Sequence, residues 1–217
     1  MIKLSLDGGS RPPLQVLCLG CHSDDIEIGC GGAILQLARQ YPGCRFHWVI
    51  FSAIGVRETE AQRSAALFAE SITLETPILK SFKDGFMPYV GEEVKAVFED
   101  LKGTISPDLI FTTSRRDVHQ DHRLIGELTW NTFRDHFILE YEIPKYDGDL
   151  GQPNVFMPLE PEIYERKIAH LMEAFQSQHL KRWFDRSTFL ALMRLRGMEC
   201  NAPSGYAEAF YCRKLVL

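Results

Sequence analysis

Two short clusters of acids and histidines in the sequence have the residue types needed to bind a metal ion. The first is "HSDDIE", in which His22 is followed by Asp24 and Asp25. The second is "DVHQDH", which contributes His119 and His122. Imidazole nitrogens and carboxylate oxygens bind zinc, and a site with three such ligands keeps one coordination position open for catalysis. Together the clusters predict a metal centre of this kind, with His22, Asp25 and His122 as a two-histidine, one-carboxylate set.

Each cluster taken alone also has a purely structural interpretation. An aspartate that follows a strand often caps the next helix, and "DVHQDH" could be a capped turn with exposed histidines. Within that turn we interpret Asp117 as a residue that solvates its loop, with orientation of the motif as the alternative. Capping needs only one acceptor per helix, whereas here two clusters follow two predicted strands. Their joint placement favours the metal centre.

The elements that must position these clusters alternate between strand and helix. Apolar runs that predict strands in the first half are "LQVLCLG", "RFHWVIFSA", "ITLETPIL" and "DLIFTTS". Helical patterns lie between them, and both clusters follow the end of a strand. We therefore predict one α/β domain over residues 1–217. Its fold is expected to be Rossmann-like, with three layers, a mostly parallel sheet and the metal site at the carboxyl ends of strands.

The second half of the chain is less regular. We predict a helix at about residues 121–133, the strand "FILEYEI", helices at about 161–175 and 181–196, and the strand "YAEAFYCRKLVL". Residues 144–161 are rich in proline and glycine and predict a long loop. Long loops in compact domains are often functional. With the residues just before it, this loop contains tyrosines and acids that suit a sugar, although an ordinary surface loop is an equal alternative.

Composition and charge limit the partners. The net charge of -5 disfavours a nucleic-acid partner, because phosphate binding requires clustered lysines and arginines. No apolar run approaches the ~18 residues of a membrane span, and the first residues do not have the pattern of a signal peptide. We therefore predict a cytoplasmic protein with a small-molecule substrate. Six irregularly spaced cysteines predict reduced thiols. A homo-oligomer is left open.

The motifs resemble the signatures of a known family, the LmbE-like or PIG-L zinc-dependent N-deacetylases. "CHSDDIEIGCGG" resembles the family's "PHPDDxExGxGG", and "HQDH" resembles its "HPDH". "RETEAQRSAA" is similar to the "RxxExxxA" helix between them, and the resemblance spans about residues 14–126. Cys21, Ser23 and Gln120 depart from the family pattern, but none of these departures removes a ligand. Cys21 would place a thiol beside the site and make it sensitive to oxidation.

The resemblance implies a role for each residue of the first cluster. It implies that zinc is bound by His22, Asp25 and His122, and that Asp24 is the general base. Spacing alone does not tell which of the two adjacent aspartates holds the metal; the family pattern assigns Asp25. Zinc suits amide hydrolysis because it lowers the pKa of a bound water toward ~7.

For the second cluster, the resemblance implies that His119 faces the reacting carbonyl and that Asp121 orients it. His119 would stabilise the oxyanion or protonate the leaving amine, and a protonated His119 predicts an alkaline limb in the pH profile. Separately, Arg57 lies near a helix start after a strand. It is a candidate substrate-binding residue for a sugar hydroxyl or phosphate, with an ordinary surface arginine as the alternative.

The resemblance thus predicts a zinc-dependent hydrolase that removes an acetyl group from an N-acetylated amino sugar, a GlcNAc-type glycan precursor or glycoside. Two other classes stay open. An Fe(II)-dependent oxygenase also uses two histidines and one carboxylate, but usually in an all-β barrel. A non-catalytic, metal-dependent sugar-binding protein would not need the additional carboxylate of Asp24 at its metal.

Overall fold

The computed structural model describes residues 5–6 and 14–216. The strands are β1 (Gln15–His22), β2 (Arg45–Ser52), β3 (Thr73–Leu74), β4 (Ile78–Leu79), β5 (Leu109–Thr113), β6 (Phe137–Tyr141), β7 (Val155–Pro158) and β8 (Ala207–Cys212). The helices are α1 (Asp25–Gln40), α2 (Val56–Ala69), α3 (Gly91–Thr104), α4 (Gln120–Thr132), α5 (Pro161–Ala174) and α6 (Arg186–Glu199). Among the described helices, none combines the length and the apolarity that crossing a membrane requires.

The strands form a single mixed sheet in the order β3-β2-β1-β5-β6-β8-β7, with β4 also paired to β2. All pairings among β1 to β6 are parallel, whereas β8 is antiparallel to both β6 and β7. Every residue of β5 is buried, as expected of a parallel strand that is covered on both faces. The predicted mostly parallel α/β fold is confirmed.

Alternate residues of the central strand β1 contact two separate layers of helices. Val16 and Cys18 lie in a core with α1, α2, α5 and α6, and Leu17 and Leu19 lie in a second core with α3 and α4. This alternation follows from the two-residue period of a strand. The three layers leave the carboxyl ends of the strands accessible.

Several predicted elements differ from those observed. "ITLETPIL" forms two short strands, β3 and β4, and Pro77 between them has no N–H to donate to a ladder. The predicted loop over residues 144–161 contains the edge strand β7. The helix predicted from residue 181 begins at Arg186, because the Asp185 side chain accepts a hydrogen bond from the Ser187 N–H at 2.7 Å and caps it.

Two glycines let α1 approach the sheet closely. A Cβ atom on Gly29 would lie 2.2 Å from the Tyr141 ring, and one on Gly32 would lie 2.6 Å from Leu159. A side chain at either position would therefore push α1 away from the sheet. The sequence "GCGG" therefore serves close packing of α1 beside the first acid cluster.

A buried ion pair fastens α1 to the second half of the chain. Lys167 of α5 donates from Nζ to Glu208 of β8 and to the Ile28 carbonyl, both at 2.6 Å. The Glu208 carboxylate accepts the backbone N–H groups of Gly32 and Ala33 at 2.8 and 2.6 Å. Both charges are buried and each has hydrogen-bond partners besides the other, which helps a buried ion pair to be tolerated.

Candidate metal centre

Three donor atoms from the two predicted clusters meet at the carboxyl ends of β1 and β5. His22 Nδ1 lies 3.1 Å from His122 Nε2, and Asp25 Oδ2 lies 3.5 Å from the first and 3.3 Å from the second. Ligands held at ~2.0–2.1 Å around a tetrahedral zinc ion are about 3.3 Å apart. These three atoms, which we call the inner donor set, therefore have the spacing that a zinc ion requires.

The fold positions the inner donor set through two adjacent strands. His22 is the last residue of β1 and Asp25 the first residue of α1, and Asp25 Oδ2 also accepts the His22 N–H at 2.8 Å. His122 lies in the first turn of α4, which follows β5. Because β1 and β5 are neighbouring parallel strands, the turns after them lie side by side.

The charges around the inner donor set stabilise a positive group. Burial alone acts to lower the pKa of His122, but Asp25 and Asp117 outweigh it and raise that pKa to about 9. For Asp25, burial acts to raise the pKa, but His122 and His22 hold it well below its ordinary value. The carboxylates of the site thus favour a positive charge between them, and a bound metal ion would supply that charge.

Asp117 orients His122, so its interpretation as a solvating loop residue is wrong. Asp117 Oδ2 lies 2.8 Å from His122 Nδ1, and Asp117 Oδ1 accepts the His119 N–H at 2.8 Å. Burial acts to raise the pKa of Asp117, but the bond to His122 and the charge of Lys145 hold it below its ordinary value. A carboxylate on the outer nitrogen of a ligating histidine is the usual support of a metal site.

Lys145 connects this support to the loop after β6, a role that the sequence did not reveal. Its Nζ lies 3.0 Å from Asp117 Oδ2 and 2.7 Å from Asp149 Oδ1. Asp149 in turn accepts the Val118 N–H at 2.9 Å. The segment that was predicted to recognise sugar therefore directs two of its charged side chains inward, while Tyr146 remains exposed.

Asp24 occupies the N-cap position of α1, but its side chain forms no capping hydrogen bond. The capping interpretation is therefore wrong for Asp24. Its Oδ1 instead lies 2.6 Å from Arg57 Nη2 in a buried ion pair. Burial raises the pKa of Asp24, the positive charge of Arg57 opposes this, and the neighbouring Asp25 adds to the rise, so the net shift is upward.

Arg57 is held between two carboxylates. Besides Asp24, its guanidinium contacts Glu60 Oε2 at 2.7 Å, and Glu60 accepts the Ser177 N–H at 2.7 Å. The guanidinium also lies over the Phe175 ring, 5.4 Å from its centroid. With a side chain only 21% exposed, Arg57 is not an ordinary surface arginine. Its predicted contact with substrate stays a prediction, whereas its contact with Asp24 is direct.

Asp121 has partners other than the one predicted. Its carboxylate is buried and accepts the N–H groups of Gly85 and Met87 at 2.6 and 3.2 Å. Within the described residues, no hydrogen bond joins Asp121 to His119. The prediction that Asp121 orients His119 by direct contact is therefore corrected. Asp121 instead fixes the loop that follows β4 against the metal centre, because the buried carboxylate needs donors and this loop provides two.

His119 faces the opening of the site, and its surroundings lower its pKa. Its side chain is 28% exposed, and its ring centroid lies 4.8 Å from that of His122. Burial lowers its pKa, and the charges of His122 and His22 lower it further. A neutral His119 is suited to donate a hydrogen bond to an oxyanion and poorly suited to protonate a leaving amine near pH 7.

Two further groups adjoin the inner donor set. Asp84, in the loop after β4, places Oδ1 2.9 Å from His22 Nε2, and this hydrogen bond lowers the pKa of Asp84 to about 2. No sequence signal marked Asp84, because it precedes Gly85 in an ordinary-looking turn. The Cys21 thiol is fully buried, and burial raises its pKa to about 12, which disfavours the reactive thiolate expected from the sequence. All six cysteines are free.

The same fold occurs in solved structures at low sequence identity. N,N'-diacetylchitobiose deacetylase from Pyrococcus horikoshii is 20% identical, with a TM-score of 0.69 over 92% of this chain and 83% of that one. The conserved protein TT1542 from Thermus thermophilus is also 20% identical, with a TM-score of 0.76 over 94% and 96% of the two chains. At this identity the likeness establishes the fold alone.

Sequence comparison identifies the family. The uncharacterized deacetylase YaiS of Escherichia coli (strain K12) is 26% identical over 167 residues, which cover 72% of this chain and 88% of YaiS. The profile of the PIG-L family, described as GlcNAc-PI de-N-acetylase, matches residues 17–133, which contain both acid-and-histidine clusters. The family match defines a hydrolytic enzyme of the deacetylase class. The chain belongs to the PIG-L family.

Proposed function

We propose that this protein is a zinc-dependent hydrolase that removes the acetyl group from an N-acetylated amino sugar, a GlcNAc-type glycan precursor or glycoside. The inner donor set carries the proposal, since three donor atoms 3.1–3.5 Å apart lie beside an additional buried carboxylate, Asp24. Membership of a deacetylase family supports amide hydrolysis. The named substrate of the Pyrococcus horikoshii enzyme supports an N-acetyl sugar. A cytoplasmic location and a homo-oligomer stay predictions.

His22, Asp25 and His122 would hold the ion. His122 faces the inner set with Nε2 while its Nδ1 bonds Asp117, the arrangement that fixes the ring and its lone pair for a metal. A bound zinc ion supplies a Lewis acid and lowers the pKa of water toward ~7, as amide hydrolysis at neutral pH requires.

Asp24 would accept the proton of the attacking water. Its raised pKa brings it nearer to neutral pH, where a general base is most effective. Arg57 would hold this carboxylate in position through the contact at 2.6 Å and limit the rise of its pKa. Without Arg57, a buried Asp24 beside Asp25 would remain protonated to higher pH.

His119 would donate a hydrogen bond to the oxyanion that forms as the acetyl carbonyl is attacked. The neutral imidazole carries one ring proton that it can donate, and its ring lies at the opening beside the inner donor set. Asp121 would contribute indirectly, because it holds the loop of Gly85 and Met87 that borders the site.

The fold and the extra carboxylate argue against the other classes. An oxygenase with two histidines and one carboxylate is expected in an all-β barrel, whereas this donor set lies in a three-layer α/β fold. A site that only binds sugar through a metal needs no carboxylate like Asp24, which is buried, paired with Arg57 and not used as a cap.

The direct test measures acetate release from a panel of N-acetyl amino sugars and glycosides, with N-acetyl amino acids as the comparison set. We expect acetate from sugars, loss of activity after chelation, and recovery with Zn²⁺. Full activity of metal-stripped protein would contradict the metal assignment. Release from the amino acids only would contradict the substrate class. Metal analysis of the purified protein distinguishes zinc from iron.

A further inference from the structure

A second set of donor atoms lies at the opening of the metal centre. His22 Nε2 and Asp84 Oδ1 are 2.9 Å apart, and His119 Nε2 lies 3.9 Å from the same Asp84 oxygen. All three residues offer ligand atoms within 4.8 Å of one another. We call them the outer donor set. It repeats the two-histidine, one-carboxylate composition of the inner set and shares His22 with it.

The backbone that carries Asp84 and His119 is held by hydrogen bonds, although the Asp84 side chain is exposed. Asp84 directly precedes Gly85, whose N–H is held by the buried Asp121 carboxylate at 2.6 Å. The backbone N–H of His119 is held by Asp117 at 2.8 Å. Donors that are positioned before binding lose little conformational freedom when they bind an ion. The outer donor set therefore differs from the inner donor set mainly in its greater exposure to solvent.

We propose that the outer donor set is a second, weaker site for a divalent transition-metal ion such as Zn²⁺, and that filling it inhibits the enzyme. Two imidazoles and one carboxylate are donors suited to zinc. Asp84 is 71% exposed, whereas Asp25 and His122 are buried. Water therefore competes more strongly at the outer set, and the inner set fills first.

The two sites share one imidazole ring. With an ion bound to His22 Nδ1, Nε2 would carry the ring proton and donate a hydrogen bond to Asp84. An outer ion would displace this proton to solvent, and His22 would bridge the two ions through its two ring nitrogens. The same ion would engage His119, so the hydrogen-bond donor proposed for the oxyanion would be lost. The inhibition, but not the binding, rests on the proposed function.

Metal stoichiometry tests the site without any substrate. Apo protein is dialysed against increasing Zn²⁺ with a chelator buffer, and bound zinc is measured by elemental analysis. We expect one equivalent at low free zinc and a second at higher free zinc. Asp84→Asn and His119→Ala should each keep the first equivalent and lose the second. Circular dichroism of both variants verifies that they fold.

Asp135→Asn is the matched control. Asp135 is an exposed acid 3.0 Å from His136, so this pair has the same chemistry as Asp84 with His22, and the candidate metal groups among the described residues do not include it. The control variant should bind two equivalents, as the unmodified protein does.

Activity measurements complete the test. Excess Zn²⁺ should lower kcat of the unmodified protein about as far as removal of His119 does, by ~10²–10³-fold. In Asp84→Asn the same excess should lower it less than about twofold. A stoichiometry of one in the unmodified protein at millimolar zinc, or a second equivalent that persists in Asp84→Asn, overturns the outer site. So does loss of the first equivalent in Asp84→Asn, which would make Asp84 only a support for His22.

The two proposals fail separately. Two equivalents of zinc without acetate release from any sugar would contradict the proposed function and leave the outer site standing. Acetate release with a single equivalent of zinc would contradict the outer site and leave the function standing.

Discussion

Asp24 and Asp25 are adjacent in sequence, yet their surroundings shift their pKa values in opposite directions. Both are buried, and burial by itself acts to raise the pKa of each. His122 and His22 overcome this effect at Asp25, whereas Arg57 only partly opposes it at Asp24. A pair of carboxylates whose pKa values are driven apart is the usual basis of a division between charge stabilisation and proton transfer.

Replacement of Asp24 tests this division. Asp24→Asn should keep its zinc while kcat falls by ~10²–10⁴-fold, because the base is lost but the inner donor set is intact. In the unmodified enzyme, Asp24 must be ionised, so activity should fall as pH decreases through its raised pKa, above the ordinary aspartate value of about 3.9. Asp25→Asn is the matched comparison and should lose zinc. Zinc loss in Asp24→Asn instead would show that the two roles are exchanged.

His119 should affect turnover without affecting the inner metal. His119→Ala should keep the first equivalent of zinc and a similar KM, while kcat falls by ~10²–10³-fold. Because its surroundings lower its pKa, we expect that loss of a proton from His119 does not limit activity at alkaline pH, so the variant should keep the alkaline side of the pH profile of kcat/KM. Disappearance of an alkaline limb in His119→Ala would restore its role as a protonated acid.

The sequence predicted the donors of the inner set but not the residues that support them. His22, Asp25 and His122 belong to a recognisable pattern of spacing. Asp117 was misjudged and Asp121 was given the wrong partner, since both are acids in one short turn and only tertiary contacts distinguish them. The five-residue spacing of Asp117 and His122 was the one available signal, and it is common in turns.

At the scale of elements, the loop after β6 supports α4 through Lys145. Lys145→Met should leave Asp117 and Asp149 without their shared cation and weaken zinc binding by ~10–100-fold, the usual effect of losing an outer partner of a metal ligand. A competition titration with a zinc chelator measures this. Lys145→Arg should recover most of the affinity.

Lys102→Met, on an exposed position of α3, is the control for the loss of a lysine and should not change zinc affinity. Unchanged affinity in Lys145→Met would show that Asp117 holds His122 without help from the loop.

Packing of α1 on β6 makes Gly29 sensitive to substitution. Gly29→Ala places a Cβ 2.2 Å from the Tyr141 ring and should destabilise the protein by ~1–3 kcal/mol through overpacking. Gly103→Ala in α3 is the matched control, because its Cβ would meet no atom within 4 Å. That variant should be neutral or stabilised by up to ~1 kcal/mol. Equal stabilities of the two variants in urea unfolding would refute the packing argument.

Element types were predicted better than element boundaries. Long periodic segments such as β1 and α1 follow directly from their apolar pattern. The edge strand β7 was missed because it pairs with β8, which lies about 50 positions later, and because its own sequence is only four residues long and ends in Pro158. The start of α6 was set by the Asp185 cap, a single side-chain contact that periodicity does not report.

At the scale of the whole molecule, metal binding should be linked to stability. The inner donor set combines His22 and Asp25, at the end of β1, with His122, which follows the neighbouring strand β5. These residues come together only in the folded chain, so an ion bound there stabilises the folded state. Zinc at ~100 times its Kd should add about 2.7 kcal/mol to the free energy of unfolding. Thermal unfolding with zinc and with chelator measures the difference. His122→Ala should lose it, and an equal rise in Tm for His122→Ala would show that zinc acts elsewhere.

The Lys167–Glu208 pair bears on how the protein is synthesised. Glu208 bonds the backbone of α1 at Gly32, 176 positions earlier in the chain. At ~5–20 residues per second, translation takes roughly 9–35 s to cover that distance. The helix that presents Asp25 therefore leaves the ribosome well before the strand that fastens it. A nascent chain arrested between these two points should bind zinc poorly, and competence to bind the ion should appear only when β8 has emerged.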